Sequence, residues 1–165
     1  MATHHGALIR PARLEDGGAL LGLVEALADY EQLERPDAAA RDRLLKDIFG
    51  PHPRLRALVA EVDGRLVGYA FTCETYSSFL ALPTLYLEDI FVLQEYRGCG
   101  IGLALFRAVV AEAQRGPYGR LDWEVLDWNQ PAIGFYRRLG ARHMKEWLKF
   151  RLTREDFARV LQEEL

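Results

Sequence analysis

An apolar run that leads into a glycine-rich turn and an amphipathic stretch constrains this chain more than any other feature. Residues 85–93 are largely apolar, residues 97–102 carry three glycines at alternate positions, and residues 100–114 have helical spacing of apolar residues. The pattern predicts a buried strand, a tight loop and a helix. Backbone N–H groups of such a loop, beside the positive end of the helix dipole, suit a pyrophosphate.

Three kinds of phosphate-binding loop compete for this segment. A P-loop ends in Gly-Lys-Ser/Thr, whereas Gly102 is followed by Leu103. A dinucleotide fingerprint needs its third glycine at position 103, although Asp122 lies about twenty residues further on, where a ribose-binding acid is expected. The pattern Arg/Gln-x-x-Gly-x-Gly/Ala is met by Arg97, Gly100 and Gly102. The alternative is a strand-to-helix turn with only a packing role.

Length and composition limit the class of protein. The chain has 165 residues, half of them hydrophobic, which predicts a single domain over residues 1–165 with a real core. A net charge of −3 gives no support for nucleic-acid binding, and no apolar run is long enough to span a membrane. Two cysteines make no disulfide framework, and the first residues lack an apolar signal core. A reduced, cytoplasmic protein is expected.

Periodicity and turn signals predict the order β-α-α-β-β-β-α-β-α-β, which implies a mixed sheet with helices on its faces. Asp63-Gly64 marks a hairpin, and Thr153 with Asp156 marks the start of a last helix. The predicted strands are residues 7–10, 56–62, 66–75, 85–93, 121–126 and 147–152. The predicted helices are residues 15–30, 100–114, 131–139, one that begins at 36 and ends before 50, and the last one after Thr153.

Several motifs together carry a family resemblance. The glycine loop is followed by Asp127-Trp128-Asn129-Gln130-Pro131 and by a tyrosine and glycine at Tyr136 and Gly140, and the chain opens with Ile9-Arg10-Pro11-Ala12. The chain therefore resembles the GCN5-related N-acetyltransferases. Residues 85–89 and 27–31 resemble the diamine (spermidine/spermine) branch, and residues 125–130 the thialysine branch. The resemblance implies an α/β fold with a mixed, mostly antiparallel central sheet, helices on both faces and a splayed acetyl-CoA cleft.

The implied reaction is acetyl transfer from acetyl-CoA to a primary amine in a ternary complex. The resemblance makes Glu88 the general base and Tyr136 the general acid. An acid inside an apolar strand is expected to be partly buried, which raises its proton affinity. Asp89 is expected on the opposite face of the strand and is read as mainly structural. Neither Cys73 nor Cys99 is expected to carry an acyl group.

The resemblance also implies the residues that hold acetyl-CoA. Backbone groups of the glutamate strand pair with pantetheine, a β-bulge in that strand exposes an amide for the thioester oxygen, and the loop holds the pyrophosphate. Asn129 can contact the pantetheine amides or cap the following helix, and the two roles are compatible. The implied cofactor-binding residues are Ile90, Phe91, Val92, Arg97, Gly98, Cys99, Gly100, Ile101, Gly102, Leu103, Asn129, Pro131, Ala132 and Tyr136.

Acceptor binding is expected to be acidic and aromatic. The implied set is Tyr30, Glu31, Glu88 and Glu146. The chain departs from the polyamine pattern, because Ser77 stands where polyamine enzymes have an acid and Phe79 where they have tryptophan. A smaller cation, such as a lysine analogue, is therefore expected.

Partners and alternatives complete the prediction. The diamine branch implies a homodimer, with an apolar segment at Phe79, Leu80 and Leu82 as a candidate interface. No metal site, nucleic-acid partner or membrane partner is expected. The alternatives are a non-catalytic acyl-CoA sensor or interaction protein, and an acetyltransferase that acts on a protein or peptide amine.

Overall fold

The structure, a computed structural model, describes residues 6–163. The chain divides into two compact units, one that ends at Glu124 and one that begins at Val125. The first unit contains the whole sheet and the second contains two helices. The single domain over residues 1–165 stays a prediction.

The strands of the first unit form one mixed sheet in sequence order. Neighbours from β1 to β4 are antiparallel, and β4 and β5 are parallel, which confirms a mixed, mostly antiparallel sheet. Asp63 and Gly64 have φ angles of 49° and 78°, the left-handed values that a tight hairpin requires. The strands are β1 (Leu8–Pro11), β2 (Arg56–Val62), β3 (Arg65–Ser77), β4 (Leu82–Val92) and β5 (Arg120–Trp123).

Helices cover both faces of this sheet. Tyr69 belongs to the core cluster that includes Leu20 of the first helix, whereas its neighbour Gly68 lies against Leu105 of the third. Successive residues of a strand point to opposite faces, so the two helices lie on opposite sides of β3. The helices are α1 (Gly17–Glu31), α2 (Ala38–Phe49) and α3 (Ile101–Arg115).

A partly buried ion-pair network ties β1 to the start of α1. The Arg10 guanidinium donates from Nη1 and Nη2 to Asp16 at 2.7 and 3.0 Å, and from Nε to Glu61 at 2.9 Å. Asp16 is buried, and the hydrogen bonds from Arg10 hold the pKa of its carboxyl below its usual range. The network fixes the entry into the helix that ends at the predicted acceptor residues.

The second unit contains α4 (Gln130–Arg138) and α5 (Phe157–Gln162). Thr153 and Asp156 form a capping box before α5, as predicted. The strand predicted over residues 147–152 is wrong, since this segment has irregular backbone. A strand exists only where a neighbour takes up its backbone hydrogen bonds, and none of the described residues pairs with this one. Its side chains are exposed, Phe150 by 89%.

No helix within residues 6–163 combines the length and apolar character needed to cross a membrane.

Candidate active site

Glu88 lies on a β-bulge in β4. Asp89 pairs with Phe71 and Leu87 pairs with the next residue, Thr72, so Glu88 is the extra residue that faces no partner in β3. A bulge bends its strand and re-aims the side chain. The bulge agrees with the expectation from the family resemblance. The expectation that Glu88 is partly buried is wrong, because its side chain is exposed.

Asp89 carries the less exposed of the two carboxyls, and it is partly buried. The Tyr69 hydroxyl donates to Asp89 Oδ2 at 3.2 Å. Burial raises the pKa of Asp89 to about 6; the charges of Glu88 and Glu31 also raise it, whereas the Tyr69 hydrogen bond opposes the rise. Burial and the Asp89 carboxylate likewise raise the pKa of the Tyr69 hydroxyl. The charges of Glu88 on β4 and of Glu31 at the end of α1 therefore both act on the Asp89 carboxyl.

An open strand edge begins beside Glu88. The parallel pairing of β4 with β5 ends at Leu87 and Trp123, whereas β4 continues to Val92. The Leu93 N–H donates to Val67 of β3 at 2.9 Å, and peptide groups alternate in direction along a strand. Ile90 and Val92 therefore turn their backbone groups toward the edge that β5 has left, which suits an added, strand-like ligand.

The glycine loop follows at the end of this edge. Gly98 and Gly100 have φ angles of 77° and 84°, so their conformation requires glycine. Gly102 has no such requirement: it is helical, and a Cβ placed there would contact only Val92 Cγ2, at 3.9 Å. Because neither conformation nor internal packing explains glycine at 102, its absent side chain leaves room for a group from outside the chain.

The amino end of α3 can bind an anion. Gly100 is its N-cap and provides no side chain, and the first intrahelical hydrogen bond runs from Ala104 N to Gly100 O at 3.0 Å. The N–H groups of residues 101–103 thus lack intrahelical acceptors and lie at the positive end of the helix. These residues fit the pyrophosphate of acetyl-CoA. The described residues include no group of three or more side chains suited to a metal ion.

Arg97 is held at the start of this loop by three contacts. Its Nε donates to the Val92 carbonyl at 2.8 Å, and its guanidinium carbon lies 4.5 Å from the ring centre of Tyr30 and 5.2 Å from that of Phe91. The Cys99 thiol donates to the Arg97 carbonyl at 3.5 Å. The last turn of α1 therefore contacts the loop, a connection that local sequence patterns do not reveal.

The predicted acceptor residues of the first unit lie at the end of α1. Glu31 is its last residue and is partly buried, and burial raises the pKa of its carboxyl. Glu34 is exposed in the following loop. Ser77 is buried at the end of β3, where its Oγ accepts from Leu80 N at 3.3 Å. Ser77 therefore stabilises a turn and supplies no charge.

The second unit contains the remaining predicted residues. The Asn129 side chain caps α4 by accepting from Ala132 N at 3.3 Å, with Pro131 in the first turn. Tyr136 is the buried residue of α4, and burial raises the pKa of its hydroxyl to about 12. Glu146 is exposed in an irregular segment, 3.6 Å from Arg142. The structure thus gives Asn129 the capping role and shows Glu146 in a surface ion pair.

Known proteins share this chain's sequence and fold. The acetyltransferase (GNAT) family matches residues 20–141. The chain is 35% identical over 158 residues to a thialysine N-epsilon-acetyltransferase of Mus musculus, which covers 89% of this chain and 92% of the relative. It is 35% identical to a human spermidine/spermine N(1)-acetyltransferase-like protein, over 94% of this chain and 24% of that protein.

A solved structure shows the same fold. An aminoglycoside N-acetyltransferase, AAC(6′)-Iy, in complex with CoA superposes with a TM-score of 0.74 at 22% identity, covering 90% of this chain and 95% of that one. The fold and the site thus define an acetyl-transferring enzyme. The chain belongs to the acetyltransferase (GNAT) family.

Proposed function

We propose that this enzyme transfers an acetyl group from acetyl-CoA to a primary amine of a small cationic acceptor by direct attack in a ternary complex. The observation that carries the proposal is the arrangement along β4. This strand presents Glu88 on a bulge, then an open backbone edge, and then a glycine loop at the amino end of a helix. Acetyl-CoA has its parts in the same order, with the thioester at one end, pantetheine in the middle and the pyrophosphate towards the other end.

Glu88 is the proposed general base. An amine with a pKa near 10 is mostly protonated at neutral pH, so the proton must leave before the nitrogen attacks the acetyl carbonyl carbon. The exposed Glu88 carboxylate accepts that proton, directly or through a water molecule. Acetyl-CoA supplies the activated acetyl group, and coenzyme A leaves as the free thiol.

Tyr136 is the proposed general acid. The electron pair of the breaking carbon–sulfur bond goes to sulfur, and the resulting thiolate needs a proton. A hydroxyl whose pKa burial raises to about 12 stays protonated at neutral pH and is available as that donor. The proposal therefore needs no cysteine, and burial raises the pKa of the Cys73 thiol, which disfavours its use as a nucleophile.

The chain's backbone is proposed to hold most of acetyl-CoA. Peptide groups of Ile90 and Val92 take pantetheine at the open edge, with Phe91 between them, and residues 97–103 hold the pyrophosphate. By family resemblance, four further residues are proposed to bind acetyl-CoA: Asn129, Pro131, Ala132 and Tyr136.

The acceptor is proposed to be a lysine-like amine such as thialysine. Glu31, with Tyr30 beside it, offers a partly buried carboxyl to the acceptor's second charge, and Glu88 and Glu146 complete the set by family resemblance. The buried Ser77 provides no anion where polyamine enzymes have one. A relative that covers nearly the whole chain is named for thialysine, in agreement with this preference.

We further propose a cytoplasmic homodimer. Two free, partly buried thiols favour a reducing compartment. The tip of the β3–β4 hairpin exposes a cluster of apolar side chains, with Phe79 exposed by 96%. Such a cluster on one hairpin is typical of an interface.

Coenzyme A release with a panel of amines tests the acceptor class. The panel contains thialysine, lysine, ornithine, putrescine, spermidine and a peptide with a free amino terminus. We expect the highest kcat/KM with one of the small amino acids that carry a second amine, since Glu31 attracts the extra charge and a peptide does not supply it. Turnover only with the peptide, or acetyl-CoA binding without any turnover, would contradict this assignment.

A further inference from the structure

We propose that Tyr30 is a positioning residue for acetyl-CoA: its ring holds the Arg97 guanidinium at the pyrophosphate loop. The inference rests on the proposed function, because it assumes that the loop binds the pyrophosphate. It assigns the ring of Tyr30 to the cofactor, whereas the family resemblance assigns this residue to the amine.

The ring face of Tyr30 is already covered by a cation of this chain. The guanidinium carbon of Arg97 lies 4.5 Å from the ring centre, a distance at which the cation is attracted by the ring's negative face. An acceptor ammonium needs the same kind of contact and would have to displace Arg97 from that face. The ring therefore contributes to the loop.

Three contacts from within the chain hold the Arg97 side chain in place. Nε uses one of the five guanidinium N–H donors for the Val92 carbonyl at 2.8 Å, and the other four are on the terminal nitrogens. Phe91 lies near both groups: its ring centre is 5.2 Å from the guanidinium carbon of Arg97 and 6.4 Å from the ring centre of Tyr30. An exposed arginine that is already ordered loses less entropy when it binds an anion.

The contact also joins two parts of the first unit that are far apart in sequence. Tyr30 is the penultimate residue of α1, directly before Glu31, and Arg97 precedes the glycines of the loop. Removing the Tyr30 ring is therefore expected to weaken binding of coenzyme A at the loop, although Tyr30 lies on α1 beside Glu31, the proposed acceptor-binding residue.

Two substitutions separate the ring from the hydroxyl. Tyr30→Phe keeps the aromatic face, and Tyr30→Leu removes it while preserving an apolar side chain. We expect Tyr30→Leu to weaken coenzyme A binding by about twofold to fivefold and to raise the KM for acetyl-CoA by a similar factor, the range of an exposed cation–π contact. We expect Tyr30→Phe to leave coenzyme A binding unchanged. Calorimetric titration with coenzyme A alone measures binding without any acceptor.

A double-mutant cycle with Arg97→Met shows whether Tyr30 acts through Arg97. If it does, Tyr30→Leu has no further effect on coenzyme A binding in the Arg97→Met background. Tyr118→Leu is the control outside the site: it removes another tyrosine ring near an arginine, since Arg56 lies 5.6 Å from the Tyr118 ring centre and also donates a hydrogen bond to its hydroxyl. We expect this control to bind coenzyme A like the unmodified protein.

Two results would overturn the inference. One is unchanged coenzyme A binding in Tyr30→Leu with a raised KM for the amine only, which would leave the proposed function intact. The other is an equal loss of coenzyme A binding in Tyr30→Leu whether or not Arg97 is present. Failure of the unmodified protein to bind coenzyme A would instead overturn the proposed function, and this inference with it.

Discussion

Asp89 is the residue whose ionisation the fold changes most clearly among the carboxyl groups of the site. Asp89 follows the bulge residue and is partly buried, and its carboxyl accepts a hydrogen bond from the Tyr69 hydroxyl at 3.2 Å. Burial raises its pKa from 3.8 to about 6. The folded chain thus holds a proton that the unfolded chain releases between these two pH values.

We expect the stability of Asp89→Asn, relative to that of the unmodified protein, to be greater at pH 8 than at pH 4. Because the folded-state pKa is the higher one, the unmodified protein loses stability as the pH rises from about 4 to 6, and the asparagine variant does not. Relative to the unmodified protein, the variant should gain about 1 to 3 kcal/mol in the free energy of unfolding across this window. Urea denaturation at pH 4, 5, 6 and 8 measures the difference.

Asp42→Asn on the exposed surface of α2 is the matched control and should show no comparable gain. A constant difference between Asp89→Asn and the unmodified protein from pH 4 to pH 8 would show that Asp89 does not hold this proton.

Sequence reasoning identified Glu88 and Asp89 as neighbouring acids on one strand but wrongly predicted that Glu88 is partly buried. Strict alternation along β4 predicts one inward and one outward side chain, without indicating which. The bulge decides the question, and a bulge depends on the register with β3, which no local pattern reveals. The same holds for Arg97 and Tyr30, whose contact joins residues far apart in sequence.

At the scale of elements, turn residues and hydrophobic periodicity correctly predicted the helices and turns whose formation is determined by local sequence. The hairpin at Asp63-Gly64, the helix after the glycine loop and the capping box at Thr153 follow local rules and are confirmed. The strand predicted over residues 147–152 depended on a neighbour to pair with, and apolar composition alone does not supply one.

The hairpin tip between β3 and β4 carries the prediction about assembly. Phe79 is exposed by 96%, with Leu80 and Leu82 exposed beside it. If this tip is the dimer interface, Phe79→Asp places an unpaired charge in an apolar contact and should weaken dimerisation by at least about tenfold. Sedimentation velocity over a concentration series measures the dissociation constant.

Leu14→Asp is the matched control, since Leu14 is also highly exposed (74%) but lies in a short 3₁₀ helix just before α1, far from the hairpin in sequence. A monomeric unmodified protein at micromolar concentrations, or equal weakening by the two substitutions, would exclude this interface.

At the scale of the whole molecule, one strand connects the steps of the proposed reaction. β4 carries the proposed base, the open edge and the approach to the pyrophosphate loop, and α1 brings an acidic residue and an aromatic ring to the same unit. Family membership fixes the acetyl-transferring chemistry. The acceptor depends on a few side chains, such as Glu31 and Ser77, and so is a matter for experiment.

The most direct test of the account is the kcat for acetyl transfer by Glu88→Gln and Tyr136→Phe at saturating acetyl-CoA and the best amine of the panel. Each substitution removes a proton acceptor or donor with little change in shape. We predict that Glu88→Gln lowers kcat by about 10² to 10⁴, and Tyr136→Phe by at least about tenfold, with coenzyme A binding retained. Turnover within about twofold of the unmodified enzyme in both variants, or its loss in Asp89→Asn while Glu88→Gln stays active, would contradict the account.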